Sequence, residues 1–175
     1  AELDYELEAL HQRAIAKVFR GDPDYAIPEV LHATPYVLVT EWLPGVPLSR
    51  IIAEGDQDTR DAAAQLYLEF LLAGPQRSGH LHADPHPGNF RITPDGRLGV
   101  LDFGAVNRLP HGLPPSIGRL LTRGLAGDAA GLVEGLRAEG FIKPTITVDE
   151  DSVLAYLSTF TEPLTYEHFH FDRAW

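Results

Sequence analysis

The sequence predicts an α+β fold, with helices and strands segregated along the chain instead of alternating as βαβ units. Three observations carry that expectation. Apolar residues recur at three- and four-residue steps through Leu3, Leu7, Leu10, Ala14 and Val18, one helical stripe that ends near Gly21 and the Asp22-Pro23-Asp24 loop. Two β-prone runs follow, Ile27–Ala33 and Tyr36–Leu43, and Pro44-Gly45 closes them. Further on, Asp95-Gly96 separates Phe90-Arg91-Ile92 from Leu98-Gly99-Val100, a strong short hairpin signal because both turn residues tolerate positive φ.

Helical patterns flank these strands. A short helix is expected near Leu48–Ala53, and a longer one runs from a cap at Asp58 or Thr59 to about Ala73, buried through Ala63, Leu66, Tyr67 and Phe70. After the hairpin come helices over 114–126, 128–139 and 150–161, the second capped by Asp128 and stopped by Gly140. Ile117, Leu120, Leu121, Leu132, Val133 and Leu136 supply their shared core. No internal repeat or low-complexity tract interrupts the order.

At 175 residues the chain is long enough for one real core. Its net charge is −11, from 25 acidic and 14 basic residues. That balance argues against a nucleic-acid surface, which needs a basic footprint, and against a polybasic membrane anchor. Zero cysteines exclude disulfides and thiolate zinc sites. No apolar run approaches the ~20 residues of a transmembrane helix, and a cytoplasmic setting, with peripheral membrane attachment left open, is the default. The chain opens at Ala1 inside a predicted helix, carries no methionine and stops at Trp175 without a terminator, so it reads as a piece of a longer protein.

The chemistry concentrates around the hairpin. A two-residue Asp95-Gly96 loop sets Asn89 opposite Asp102, with Cα atoms roughly 4.5–5.5 Å apart. An amide oxygen and a carboxylate at that spacing can share a hard cation such as Mg²⁺. Asp84, five residues before Asn89, is the candidate proton acceptor for a hydroxyl or water attacking a phosphoryl group. With Asp102-Phe103-Gly104 this is the layout of a kinase catalytic loop and its metal-binding turn.

Other residues invite rival readings. His80, His82 and His86 alternate with Asp84 and could ligate zinc, but zinc leaves the Asn89–Asp102 pairing and Asp-Phe-Gly unexplained. The plainer reading packs His82 beside Phe103 and leaves His80 and His86 in the loop, with His168 and His170 in helix or linker. Ala14-Ile15-Ala16-Lys17 imitates the strand motif of a phosphate-binding lysine, yet it lies on an amphipathic helix without a preceding glycine-rich loop, so Lys17 is a surface residue. Lys143 is far downstream, and the chain therefore lacks that lysine. Glu8 is either a solvated helix charge or the acid that would pair with it.

Asp84-Pro85-His86-Pro87-Gly88-Asn89 together with Leu101-Asp102-Phe103-Gly104 resembles the UbiB/AarF/ADCK family of atypical kinases. Glu2-Leu3-Asp4-Tyr5-Glu6-Leu7-Glu8-Ala9 is similar to the family's Glu-x-Asp helix, Val37–Glu41 to its hinge strand, and Gly45 to the glycine after the hinge. The resemblance covers residues 1 to about 110 closely and the later helices loosely. It implies a protein-kinase-like fold with a residual N-lobe over 1–43 (one helix, two strands, hinge) and a mostly helical C-lobe over 44–175 holding the catalytic hairpin. It implies ATP and Mg²⁺ as cofactors. Glu41, Trp42 and Leu43 would present backbone groups to adenine, Asp84 would be the catalytic aspartate, and Asn89 with Asp102 would hold the metal. Glu8, or Glu2, would pair with the absent lysine, and Glu2 and Asp4 would meet a Lys-x-Gly-Gln extension.

The family's setting implies lipid or isoprenoid-quinone intermediates and biosynthetic enzymes as partners, in quinone or membrane-lipid metabolism. Independently, the stretch from Ala105 to Pro115 leaves little room for a segment that cradles a peptide substrate. Without the lysine strand, weak or no turnover is expected of residues 1–175 alone. Two alternatives stand beside this reading: a small-molecule phosphotransferase of the aminoglycoside or choline kinase type, and a nucleotide-gated scaffold without catalysis.

Overall fold

The computed structural model describes residues 4–169; the expectations resting on Glu2, Leu3 and His170 lie outside them. The chain divides into two compact units, 1–113 and 114–175. The expected lobe boundary after residue 43 falls inside the first.

In the first unit, helix α1 (Tyr5–Val18) starts where the Asp4 carboxylate accepts the Leu7 amide. Its buried face is not the one the leucine stripe suggests. Leu7, Leu10 and Val18 are exposed, while Ala9, Gln12, Ile15 and Ala16, followed by Phe19, turn inward. Both faces of α1 carry apolar residues, so periodicity alone cannot choose; contact with Tyr25 and Phe70 decides, because Phe19 stacks on both. Lys17 is exposed on α1, as its position predicts.

Strands β1 (Tyr25–Ala26), β2 (Val30–Thr34), β3 (Val37–Thr40) and β4 (Val46–Pro47) follow, and then α2 (Leu48–Glu54). The long helix α3 (Gln57–Ser78) is capped by Asp56, whose carboxylate takes the Thr59 amide, a few residues earlier than Asp58 or Thr59 would have placed it. It runs past Ala73 through Pro75 and ends at Gly79 in the left-handed region (φ +68°). Proline this near the end forfeits a single intrahelical bond, so the helix survives it. At that end Arg77 lies over the Phe19 ring (4.5 Å) and pairs with Asp22.

Strands β5 (His80–His82), β6 (Phe90–Ile92), β7 (Leu98–Val100) and β8 (Val106–Arg108) complete the unit. β1 joins β7 in parallel, β7 pairs with β6 and β6 with β4; β2–β3 and β5–β8 are separate antiparallel ladders. Phe90, Leu98, Val100 and Phe103 are fully buried, and with Ile15, Phe70 and Leu48 they form the core on which the loops around the hairpin rest.

The β6–β7 register corrects the sequence expectation by one residue. Phe90 faces Val100, Arg91 faces Gly99 and Ile92 faces Leu98, so the loop has three residues, Pro94-Asp95-Gly96. The Gly96 amide bonds to the Thr93 carbonyl (2.9 Å), and Gly96 takes φ +85°. The reason lies in Pro94. A two-residue loop would make Pro94 and Arg97 a hydrogen-bonded pair, and proline has no N–H to give. As the first central residue of a type I turn, with glycine left-handed two positions on, it fits without loss.

The second unit packs α4 (Pro115–Leu125), α5 (Ala129–Ala138) and α6 (Glu150–Thr161) around an apolar hollow of about 540 Å³ lined by Leu120, Leu132, Leu136 and Phe160 among others. Asp128 caps α5 through the Gly131 amide, as expected. Among the described residues no helix is long and apolar enough to cross a membrane.

Candidate functional site: a catalytic loop and an acidic turn

Two ladders side by side build the site. β5 leads into the loop 83–89 and β6 leaves it; β7 leads into the turn 101–105 and β8 leaves it. The Ala83 amide donates to the Ala105 carbonyl (2.8 Å) and the Leu101 amide to the Asn89 carbonyl (2.9 Å), so the two connections are tied at both ends. Asn89 therefore stands opposite Leu101, not Asp102, and the direct cross-strand pairing of Asn89 with Asp102 is not observed. Among the described residues no hydrogen bond joins those two side chains.

Each is instead fixed by its own loop. The Asn89 amide Nδ2 donates to the Asp84 carboxylate (2.9 Å) and reaches the Asp84 carbonyl (3.3 Å), which leaves the amide oxygen as the outward acceptor. Asp102 accepts the Gly104 amide through Oδ1 (2.9 Å), leaving Oδ2. His82 is buried, and its Nε2–H donates to the Asp102 carbonyl (2.6 Å) while the ring packs against Phe103 (5.9 Å between centroids). Burial pushes the His82 pKa down, against the opposing pull of Asp102 and Asp84, and keeps the imidazole a neutral single donor. His82 thus holds the loop, as the plainer reading has it.

The zinc reading finds no cluster of ligands among the described residues. His80 Nδ1–H donates to the Ser78 carbonyl (2.7 Å), and His86 Nδ1 accepts the Gly88 amide (3.1 Å). Among the described residues no three His, Asp or Glu side chains form a metal-holding group.

Glu8 reaches the acidic turn from α1. Its carboxylate takes the Phe103 amide at a long 3.5 Å, and a Cβ on Gly104 would lie 3.7 Å from Glu8 Oε2 and 3.4 Å from Asp102 Oδ1. Burial raises the Glu8 pKa, the Phe103 amide opposes that, and the negative Asp102 adds to it. Two carboxylates of like charge, Glu8 and Asp102, thus meet at the turn as anionic oxygen donors. Their chemistry suits a hard divalent cation or an ammonium group rather than a soft metal.

The hinge segment is anchored from two sides. The Glu41 amide donates to the Glu29 carbonyl (2.9 Å), and the Glu41 carboxylate returns an acceptor to the Glu29 amide (3.1 Å). Arg91, from β6, donates to the Leu43 carbonyl (2.6 Å) and lies over the exposed Trp42 ring (5.7 Å). Leu43 itself lies flat on Gly99, where a Cβ would come within 2.5 Å of Leu43 Cδ2. Those bonds occupy the Glu41 amide and the Leu43 carbonyl of the hinge segment. The Arg91 strut was missed in the sequence because it joins residues 48 positions apart, and no local pattern records it.

Gly45, after the hinge, carries φ +152°, and a Cβ there would meet the Ile92 carbonyl oxygen at 2.5 Å. Only glycine lets β4 approach β6 this closely.

The profile of the ABC1 atypical kinase-like domain matches residues 1–136. An Arabidopsis thaliana chloroplast protein named ACTIVITY OF BC1 COMPLEX KINASE 3 is 35% identical over 117 residues, which is 63% of this chain and 16% of that protein. An uncharacterized Synechocystis sp. protein is 30% identical over 156 residues, 84% of this chain and 26% of its own length. A solved Mycobacterium tuberculosis structure, described as the complex of Rv3197 with erythromycin, is 37% identical with a TM-score of 0.86, covering 99% of this chain and 44% of that one. The chain thus spans 16% and 26% of the two curated relatives. With a protein-kinase-like α+β fold and the family profile matched over most of its length, this chain belongs to the ABC1 atypical kinase-like family.

Proposed function

We propose that the chain carries the nucleotide- and metal-holding centre of a Mg-ATP-dependent phosphotransferase or ATPase. The observation behind this reading is the junction of two loops: Asp84 and Asn89 locked to each other (2.9 Å), beside an Asp102-Phe103-Gly104 turn that receives Glu8. Asn89 and Asp102 would hold Mg²⁺, and the Glu41 carbonyl with the Leu43 amide would receive adenine. The metal, when bound, neutralises charge on the phosphate oxygens and so supplies the electrostatic part of the chemistry. Asp84 accepts the proton of the attacking hydroxyl or water. Asn89 keeps the Asp84 carboxylate aimed, and His82 keeps the acidic turn in place. Glu8 is poised to receive a lysine ammonium.

The acceptor we favour is a small molecule. Residues 106–108 pair with β5 instead of forming an open segment, and this ladder leaves little length for cradling a peptide. Quinone or membrane-lipid metabolism is the setting the resemblance suggests, and the macrolide in the Rv3197 structure adds a second class to any acceptor screen.

The deciding experiment is nucleotide binding by calorimetry with and without Mg²⁺, in wild type and Asp102→Asn. Wild type is expected to bind Mg-ATP at least tenfold more tightly than metal-free ATP, and Asp102→Asn to lose that difference. Equal metal dependence in both chains removes the metal assignment. Asp84→Asn separates catalysis from scaffolding: binding retained with turnover lost supports the enzyme reading.

A further inference from the structure

The loop that carries Asp84 has a shape of its own but few ties to the body of the protein. The His86 amide donates to Asp84 Oδ1 (3.4 Å), the Asn89 amide to the His86 carbonyl (2.9 Å), and Asn89 Nδ2 to Asp84 Oδ2 (2.9 Å). These bonds are internal. They preserve the turn and say nothing about where the turn sits. The backbone ties at Ala83 and Asn89 hold only its ends, and Asp84, Pro85 and His86 between them are exposed.

Besides His82, which approaches the Asp84 backbone from β5, a side chain of the long helix reaches the middle. Tyr67, on the inward face of α3, donates its hydroxyl to the Pro85 carbonyl (2.5 Å). The edge of its ring meets Phe90 at right angles, 4.9 Å between centroids, and Phe90 is fully buried next to Asn89. Tyr67 therefore grips the loop on both flanks, beside the catalytic aspartate and beside the amide that aims it. The residue it holds is suited to this. Proline has a fixed φ and no N–H, so its carbonyl is its one polar backbone group, and the residue before it is confined to extended backbone. With the φ of Pro85 fixed by its ring, holding that carbonyl leaves a single torsion between the held Pro85–His86 peptide and the Asp84–Pro85 peptide before it.

We propose that Tyr67 is the positioning residue of the catalytic loop, setting the Asp84 carboxylate through the Pro85 carbonyl. The proposal rests on the phosphoryl-transfer reading and deepens it. The hydroxyl is also kept in its donating form: burial first, and the nearby Asp84 charge second, raise the Tyr67 pKa above its ordinary value. The loop tie accordingly persists through neutral pH.

The test is Tyr67→Phe, which keeps the ring against Phe90 and removes the oxygen alone. Amide hydrogen exchange of His86, Gly88 and Asn89 and single-turnover hydrolysis of radiolabelled Mg-ATP are measured on the same samples of residues 1–175. Loop exchange is expected to quicken about tenfold while exchange in β6, β7 and α3 stays as in wild type. The hydrolysis rate is expected to fall between about ten- and a hundredfold, with the concentration of Mg-ATP for half-saturation unchanged within twofold, as for a misplaced rather than missing group. Unchanged loop exchange and rate overturn the proposal, as does a variant that loosens the whole unit. A wild-type chain that binds Mg-ATP without measurable hydrolysis shows the weak turnover expected of residues 1–175, and one that does not bind it counts against the phosphoryl-transfer reading alone; in both cases the loop exchange rates decide the Tyr67 tie in either direction.

Discussion

Two antiparallel hairpins in the first unit, β2–β3 and β6–β7, are written in similar residues and are covered in opposite ways. In β6–β7, Phe90, Leu98 and Val100 are fully buried. In β2–β3, Leu31 is 63% exposed, Val37 50% and Val39 41%. Their turns differ too. Pro35-Tyr36 makes a two-residue loop whose Thr34 hydroxyl accepts the Val37 amide (3.0 Å), whereas Pro94-Asp95-Gly96 makes three. β2–β3 also carries a register irregularity between Val30 and His32, and β6–β7 carries none. The regular, buried hairpin is the one from which the catalytic loop and the acidic turn hang. Precision in the site is thus inherited from burial of the strands beneath it, which leaves one register and one face for every side chain.

Truncation in the two hairpins should break the comparison open. Phe90→Ala removes a ring that meets Tyr67, Phe70 and His82, and the expected loss is about 3–5 kcal/mol by urea unfolding. Val39→Ala, on the exposed ladder, should cost under about 1 kcal/mol. Similar losses at both positions would mean that β2–β3 is covered in solution by something that buries Val39.

The comparison also explains what could be read from the chain beforehand. The three helices of the second unit were legible to within a few residues, because signals such as the Asp128 cap and the terminating Gly140 act locally. The candidate site residues were legible as a motif, since Asp84, Asn89 and Asp102 are close in sequence. Their mutual geometry was not. It depended on whether Pro94 could donate a hydrogen bond, a negative property that a search for Asp-Gly overlooks. The buried face of α1 was equally hidden, since Leu7 and Leu10 compete with Ile15 and Phe19 and only packing chooses between them. Arg91 and Tyr67 carry no local signature, because each acts on a carbonyl far away in sequence.

A smaller effect is expected where the hairpin meets the hinge. Gly45→Ala places a methyl group against the Ile92 carbonyl and forces alanine into a backbone region it rarely adopts. The expected cost is about 1–3 kcal/mol. If β4 is as firmly seated as β6, weakened nucleotide binding accompanies the loss, since the hinge moves with β4. Stability lost with binding intact would separate hinge position from the sheet. Gly96→Ala, also left-handed but with nothing within 4 Å of the added methyl, should cost about 1–2 kcal/mol and leave binding alone.

The finest distinction concerns α1, which packs on β2 and delivers Glu8 to the turn after β7. Burial, and then the charge of Asp102, raise the Glu8 pKa above its ordinary 4.5, so the folded chain holds this proton more tightly than the unfolded one. For an acid shifted in that direction, stability is full below the unfolded value and declines as pH rises through the folded one. Glu8→Gln removes the ionisation. The variant should therefore melt above wild type at pH 7, with the gap closing as pH falls below the ordinary glutamate range. Mg-ATP should then raise the melting temperature of wild type more than that of Glu8→Gln, because a cation beside two carboxylates relieves a repulsion the variant no longer has. A variant less stable than wild type at pH 7 would show that the Phe103 amide outweighs burial and Asp102, and that α1 is held to the turn by that bond rather than strained against it.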